Sequence, residues 1–167
     1  VTVTPSVTTG THLAGIPYNF VLNQGQTYQL RNPNGPGLLP TDLTGSRIHA
    51  DKPISFFSGH DCNFVTGNAL ACNHLVEQIP PIDQWGTAFA IAPLAERGSS
   101  YLRVVASQDG TNLSINGSVV ASLIAGQPYD QAFSSSLFVT ADRPVAVIEY
   151  GLSAGSTRTD GVYGDPT

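Results

Sequence analysis

The stretch Asn112-Leu113-Ser114-Ile115-Asn116-Gly117-Ser118-Val119-Val120 decides the fold class. Leu113 and Ile115 alternate with Asn112, Ser114 and Asn116, the period of a strand with one buried face. Asn116-Gly117 then supplies two residues that tolerate positive φ, as a type I′ hairpin turn requires. The same period of two opens the chain, where Val1, Val3 and Val7 alternate with Thr2, Thr4 and Thr8. Continuous apolar runs at 54–57 and 145–148 read as strands covered on both faces. Further strands are expected at 88–92 and 101–107. The best helical window, 68–77, is short, and Pro80-Pro81 stops it soon afterwards. The expectation is an all-β, antiparallel protein of two related β-sandwich-like units, with a propeller-like repeat as the alternative.

The relatedness comes from an internal repeat. Gly25-Gln26-Thr27-Tyr28 returns as Gly126-Gln127-Pro128-Tyr129, each after an apolar strand. Ala50-Asp51-Lys52-Pro53 returns as Ala141-Asp142-Arg143-Pro144, each before one. Two matches in the same order, with the same strand neighbours, mark a repeat. An insertion, mostly 31–39, lengthens the first copy. The Asp-basic-Pro element suits a strand start, because Pro fixes φ and lacks a donor. Its Asp can bond backbone N–H groups of the turn before it. The predicted organisation is a first β unit at 1–60, a disulfide-stapled connecting loop at 61–84, a second β unit at 85–152 and an irregular tail at 153–167.

Charge is scarce in the 167 residues: 7 Lys+Arg and 12 Asp+Glu, 11% in all, against roughly 25% in an average soluble domain. Lys52 is the single lysine. Nucleic-acid binding needs clustered bases and is excluded, and so is a polybasic membrane surface. No apolar run approaches the ~20 residues of a membrane helix, so no membrane insertion is expected. Polarity comes instead from Ser, Thr, Asn and Gln, a composition that suits an extracellular β protein. Methionine is absent even at position 1, which predicts a processed product or a fragment.

Cys62 and Cys72 are the two cysteines. Without a C-x-x-C or a second pair, a structural disulfide is the favoured reading over a redox pair or half a metal site. Two unpaired thiols remain the alternative. A disulfide would place the chain in an oxidising compartment. His60, Asp61, Cys62 and His74 crowd together in sequence, and a Cys-His nucleophile or a zinc site can be drawn from them. Their spacing is irregular, so they read as polar residues organising the stapled loop. His12 and His49 give no functional signal. Gly151-Leu152-Ser153-Ala154-Gly155 matches the nucleophile elbow of hydrolases. The elbow needs a helix directly afterwards and a later histidine, and neither follows. Asp109-Gly110, Asp160-Gly161 and Gly164-Asp165 could offer oxygens to calcium, but turn chemistry explains them. Asn112-Leu113-Ser114 and Asn116-Gly117-Ser118 are glycosylation sequons that matter in a glycosylating host, with Asn116 better used as a hairpin residue. Trp85, Tyr101, Tyr129 and Tyr150 could line a glycan-binding face, though strand aromatics are more often core or cross-strand pairs. No catalytic residue, metal ligand or cofactor is expected.

Asp42-Leu43-Thr44-Gly45-Ser46-Arg47-Ile48, Ala50-Asp51-Lys52-Pro53 and Phe57-Ser58-Gly59-His60 resemble the IgG Fc-binding protein N-terminal domain family. So do His74-Leu75-Val76-Glu77-Gln78-Ile79-Pro80-Pro81, running to Trp85-Gly86, and the ending Gly164-Asp165-Pro166. The resemblance implies a non-enzymatic, secreted or surface-associated β module, of the kind found in mucus proteins and in bacterial surface proteins and adhesins. A bacterial surface or adhesin-type member is the expectation. The family's cysteine pair after the Ser-Gly-His element matches Cys62 and Cys72. The family domain usually continues past Gly-Asp-Pro into another strand, so either the chain is a fragment or something else supplies that strand. No binding residue carries over, so the binding site is left unassigned. The expected function is an extracellular binding or adhesion module for a protein or glycan ligand. The alternative is a self-assembling surface or filament subunit that adds strands between copies. It rests on the Thr/Val-rich start of the chain and on the lack of lysines to guard an exposed edge.

Overall fold

Antiparallel pairing organises all eleven strands of the computed structural model, which describes residues 1–32, 42–65, 72–95 and 97–153. The protein is all-β, as its alternating patterns require. One short 3₁₀ turn, Ile82–Gln84, is the helical element among the described residues. No helix there is long and apolar enough to cross a membrane. The chain divides into two units, Val1–Ser55 and Phe56–Thr167.

In the first unit, β1 (Thr2–Thr4) lies between β2 (Tyr18–Asn19) and β3 (Arg47–His49). Val3 sits opposite Tyr18 and Ile48 and is buried, while Thr2 bonds Asn19 through its hydroxyl at 2.6 Å. The alternation at 1–8 forms ladder only as far as Thr4. Pro5 follows, buried and without an N–H to give to the ladder.

The second unit begins with a hairpin of β4 (Phe57–Asn63) and β5 (Asn73–Gln78). Six strands follow: β6 (Gly86–Ile91), β7 (Ser100–Ala106), β8 (Thr111–Ile115), β9 (Ser118–Leu123), β10 (Pro128–Phe133) and β11 (Leu137–Gly151). They form one sheet in the order β10-β7-β11-β8-β9, with β6 also on β11. β11 serves two sets of partners. Its first part pairs with β6 and β8, and its second, from Val145 on, with β7, Val145 also facing Gly86 of β6. The register shifts between Thr140 and Val145. Pro144 cannot donate to the ladder there, and its carbonyl instead accepts the N–H and the hydroxyl of Ser107 at 3.1 and 2.7 Å. Arg143 donates to the Asp109 carbonyl. A strand that changes partners at such a break turns the sheet over on itself. Leu102, Val104 and Ala106 of β7 therefore share one buried cluster with Leu113, Ile115, Leu123, Phe133, Leu137, Val139 and Val145. Each large side chain buried there contributes about 1.5–3 kcal/mol.

Local turn chemistry follows the sequence. Asn116 and Gly117 have φ of 51° and 82°, as the β8–β9 turn demands. Gly25 and Gly126 adopt φ of 80° and 79°, and Gln26 and Gln127 donate N–H bonds of 3.0 Å to Asn23 and Ile124 respectively. The two Gly-Gln turns thus share one geometry, although only the second leads into a strand, β10.

Some expectations differ from the structure. The run 54–57 is not a doubly covered strand. Only Phe57 belongs to a ladder, and Ile54, Phe56 and Phe57 are 46%, 37% and 59% exposed, because nothing among the described residues is layered on them. The helical window 68–77 is strand from Asn73 on, paired to β4; its first residues, 68–71, lie outside the described ones. The Asp-basic-Pro element of the second copy lies inside β11, at its register break, and not at a strand start. Residues 61–84, read as a connecting loop, carry the end of β4, all of β5 and the 3₁₀ turn. Of the tail 153–167, only Ser153 is among the described residues.

Candidate binding surface

Four aromatic rings from separate parts of the first unit meet at its surface. Thr9 and His12 exchange backbone bonds at 2.9 and 3.0 Å, and the Thr9 hydroxyl donates to the Arg31 carbonyl at 2.8 Å, which fixes His12. Tyr18 belongs to β2, and Phe20 lies two residues on, where its N–H bonds the Val1 carbonyl at 3.0 Å. In extended chain that spacing puts both rings on one side. The Gly25 turn brings Tyr28 back beside them. His12 stacks on Tyr18 with centroids 3.7 Å apart and planes 16° apart. Phe20 and Tyr28 are 4.1 Å apart, and the Tyr18 and Tyr28 hydroxyls bond at 3.1 Å. Burial, then the bond to Tyr28, then charge at Tyr28 push the Tyr18 hydroxyl pKa upward, so it stays protonated. Tyr28 remains 44% exposed. Rigid aromatic area with hydroxyl tips is what protein-recognition surfaces use.

The β4–β5 hairpin is the second exposed feature. Cys62 and Cys72 form a disulfide with Cα atoms 4.9 Å apart. Every residue of β4 as far as Cys62 is exposed. His60 Nδ1 accepts the Cys62 N–H at 3.0 Å, and His74 points to solvent in β5. No three His, Cys, Asp or Glu side chains among the described residues converge as a metal site would need. Beyond the staple the surroundings turn buried. Ser153, 1% exposed, accepts the Val65 N–H through its hydroxyl at 2.8 Å and donates to the Asn63 carbonyl at 3.3 Å. Its own N–H bonds Val65 at 3.3 Å. Ser153 therefore ties the end of β11 to the stapled hairpin, a structural use of the residue that the elbow motif singled out.

The other aromatics singled out by sequence converge only in part. Tyr101 and Tyr150 are cross-strand partners on β7 and β11. On the same face of the sheet, Arg103 makes two bonds of 2.8 Å to Asp130 on β10. Burial, and secondarily Asp130, raise the Tyr101 pKa. Tyr129 lies opposite Val104 and packs against the core, with its hydroxyl on Gln131 at 2.9 Å. Trp85 donates Nε1–H to the Pro80 carbonyl at 3.1 Å. Asp109 accepts the Ala125 N–H at 2.9 Å, a turn-forming role. Asp160 and Asp165 lie outside the described residues, and His49 is in β3. Asp142 bonds the backbone and side-chain amides of Asn112 on β8, each at 2.8 Å, and not the turn before it. Those two bonds lower its carboxyl pKa.

The His12, Tyr18, Phe20 and Tyr28 cluster was missed in the sequence. The spacing of Tyr18 and Phe20, followed by a Gly turn and Tyr28, is the signal that could have found it.

The IgGFc binding protein family model matches residues 1–167. The chain is similar to the IgGFc-binding protein of Homo sapiens, 32% identical over 130 residues. That stretch is 75% of this chain and 2% of the relative, so the chain spans a small fraction of the relative's length. The relative is human, and the expected bacterial surface or adhesin type is not borne out. No solved structure matches the chain.

Proposed function

The chain belongs to the IgGFc-binding protein family, and from that premise we propose that it is a non-enzymatic, extracellular protein-binding module whose contact surface is the cluster His12, Tyr18, Phe20 and Tyr28. The stacked aromatic cluster, half-buried at His12, Tyr18 and Phe20 and exposed at Tyr28, carries the reading. Its rings are held by one another and by the bridge at Thr9, so little side-chain freedom is lost when a partner covers them. The disulfide supports the extracellular part, because such bonds persist in oxidising compartments. The relative's name supplies the first ligand to try, the Fc region of IgG. Purified chain is expected to bind an Fc fragment in a calorimetric or surface-based assay. Tyr28→Ala, which removes the most exposed hydroxyl-bearing ring, is expected to weaken that binding about tenfold, on the order of 1–2 kcal/mol. Absence of Fc binding removes Fc as ligand. Binding that Tyr28→Ala leaves unchanged removes the cluster as the surface.

A second reading is self-association through the β4–β5 hairpin. A two-stranded sheet is marginal alone, and this one exposes Phe57 and Val76 by 59% and 63%. Strand addition from another copy would cover them and would build a filament or surface array. Light scattering across concentration separates the readings, since a monomer at every concentration excludes this one.

A further inference from the structure

The β8–β9 hairpin carries two sequons, and the structure treats them differently. Asn112, Ser114 and Asn116 alternate with the buried Leu113 and Ile115, so all three point away from the core. Asn112 Nδ2 is already given to Asp142 Oδ2 at 2.8 Å, while Asp142 Oδ1 holds the Asn112 N–H. Asn116 sits at the exposed tip. Its Oδ1 accepts the Phe138 N–H at 2.8 Å, which fixes the side chain and leaves Nδ2 without a partner among the described residues. Gly117 and Ser118, the rest of the sequon, are exposed.

What lies beside the tip is apolar. Phe138, joined to Asn116 by that bond, is 51% exposed. Val119, across from Ser114, is 70% exposed, and alternation puts it on the same outer face. Ser114 and Asn116, which face Val119 and bond Phe138, are themselves uncharged, whereas such sheet faces are usually guarded by charge.

We propose that Asn116 is an N-glycan acceptor and that its glycan covers the outer face around Phe138 and Val119, while Asp142 withholds Asn112. The inference rests on the extracellular part of the reading above. The co-reactant is a lipid-pyrophosphate-linked oligosaccharide. Nδ2 bonds to the anomeric carbon of its first sugar, the bond from that carbon to the phosphate oxygen breaks, and lipid pyrophosphate leaves with the electron pair. One Nδ2 proton is lost, and nothing is oxidised or reduced.

Secretion of the whole chain from cultured animal cells, with peptide mass mapping before and after peptide N-glycosidase, tests the assignment. One glycan is expected, at Asn116, released without denaturation and leaving Asp in its place. Ser118→Ala keeps Asn116 and its turn but abolishes occupancy, and the bare chain binds several-fold more of an apolar dye. Asp142→Ala raises occupancy at Asn112 several-fold. A secreted chain with bare Asn116, or dye binding that the glycan does not change, overturns the proposal. Equal occupancy of Asn112 and Asn116 in the unaltered chain overturns the role of Asp142. A thiol count on the same sample separates this failure from that of the extracellular reading. A closed disulfide beside bare Asn116 counts against the acceptor site alone. Free thiols beside an occupied Asn116 count against the disulfide alone.

Discussion

A methyl group built on Gly59 would stand 2.3 Å from the Leu75 carbonyl oxygen and 3.3 Å from the Val76 Cα, on the strand it pairs with. Both are backbone atoms, so relief requires the hairpin to open. Gly59→Ala is expected to lower stability by about 1–3 kcal/mol, read as a shift of the denaturant midpoint. An unshifted midpoint would show that β4 and β5 do not approach this closely. In the sequence Gly59 stood only inside a family motif, because its constraint comes from a strand some fifteen positions away. Asn116-Gly117 was legible for the opposite reason: the demand for positive φ is local, and the observed 51° and 82° answer it. The aromatic cluster was not legible, since His12, Phe20 and Tyr28 meet Tyr18 only after the Thr9 bridge and the Gly25 turn have formed.

Hairpin β4–β5 joins the least covered strand of the second unit to some of its most buried polar residues. Phe57 to Cys62 are exposed, yet Asn73 next to the staple and Ser153, bonded to Asn63 and to Val65 just beyond β4, are 2% and 1% exposed. The disulfide spans a separation of 10 residues, and by chain entropy such a loop contributes about 2–3 kcal/mol. Cys62→Ser with Cys72→Ser is expected to lose that amount in urea unfolding and to make the hairpin the first site of proteolysis. A double variant of unchanged stability and protection would show that Ser153 and the ladder suffice. Sequence reasoning found the cysteine pairing but not the strands around it. The apolar run at 54–57 was read as buried because apolar composition reports strand propensity, and coverage depends on what packs above. The start of β5 was read within a helical window because its pairing partner lies across the stapled loop.

At the scale of the whole molecule, 19 charged residues in 167 leave most surface recognition to rings, hydroxyls and amides. The side chains His12, Tyr18, Phe20 and Tyr28 include no Asp, Glu, Lys or Arg, and the nearest charge shown is the Val1 ammonium on the Phe20 carbonyl at 3.0 Å. Affinity for the proposed protein ligand is therefore expected to change less than twofold between low and high salt, since screening acts on charges. A steep fall in affinity with salt would point to a different surface, with the Arg103–Asp130 neighbourhood the first to test. The all-β antiparallel class was legible because alternation recurs in several segments. The order of the sheet was not, because it depends on one strand changing partners. That strand also sets a clock for the second unit. Amide protons at Val139 and Thr140, with ladders to β6 and β8, and at Val145, with ladders to β6 and β7, exchange with solvent deuterium last. Asp142 and Arg143, where the ladder lapses before Pro144 with its missing N–H, exchange early, so the slow interior of β11 is divided by a fast window in its middle.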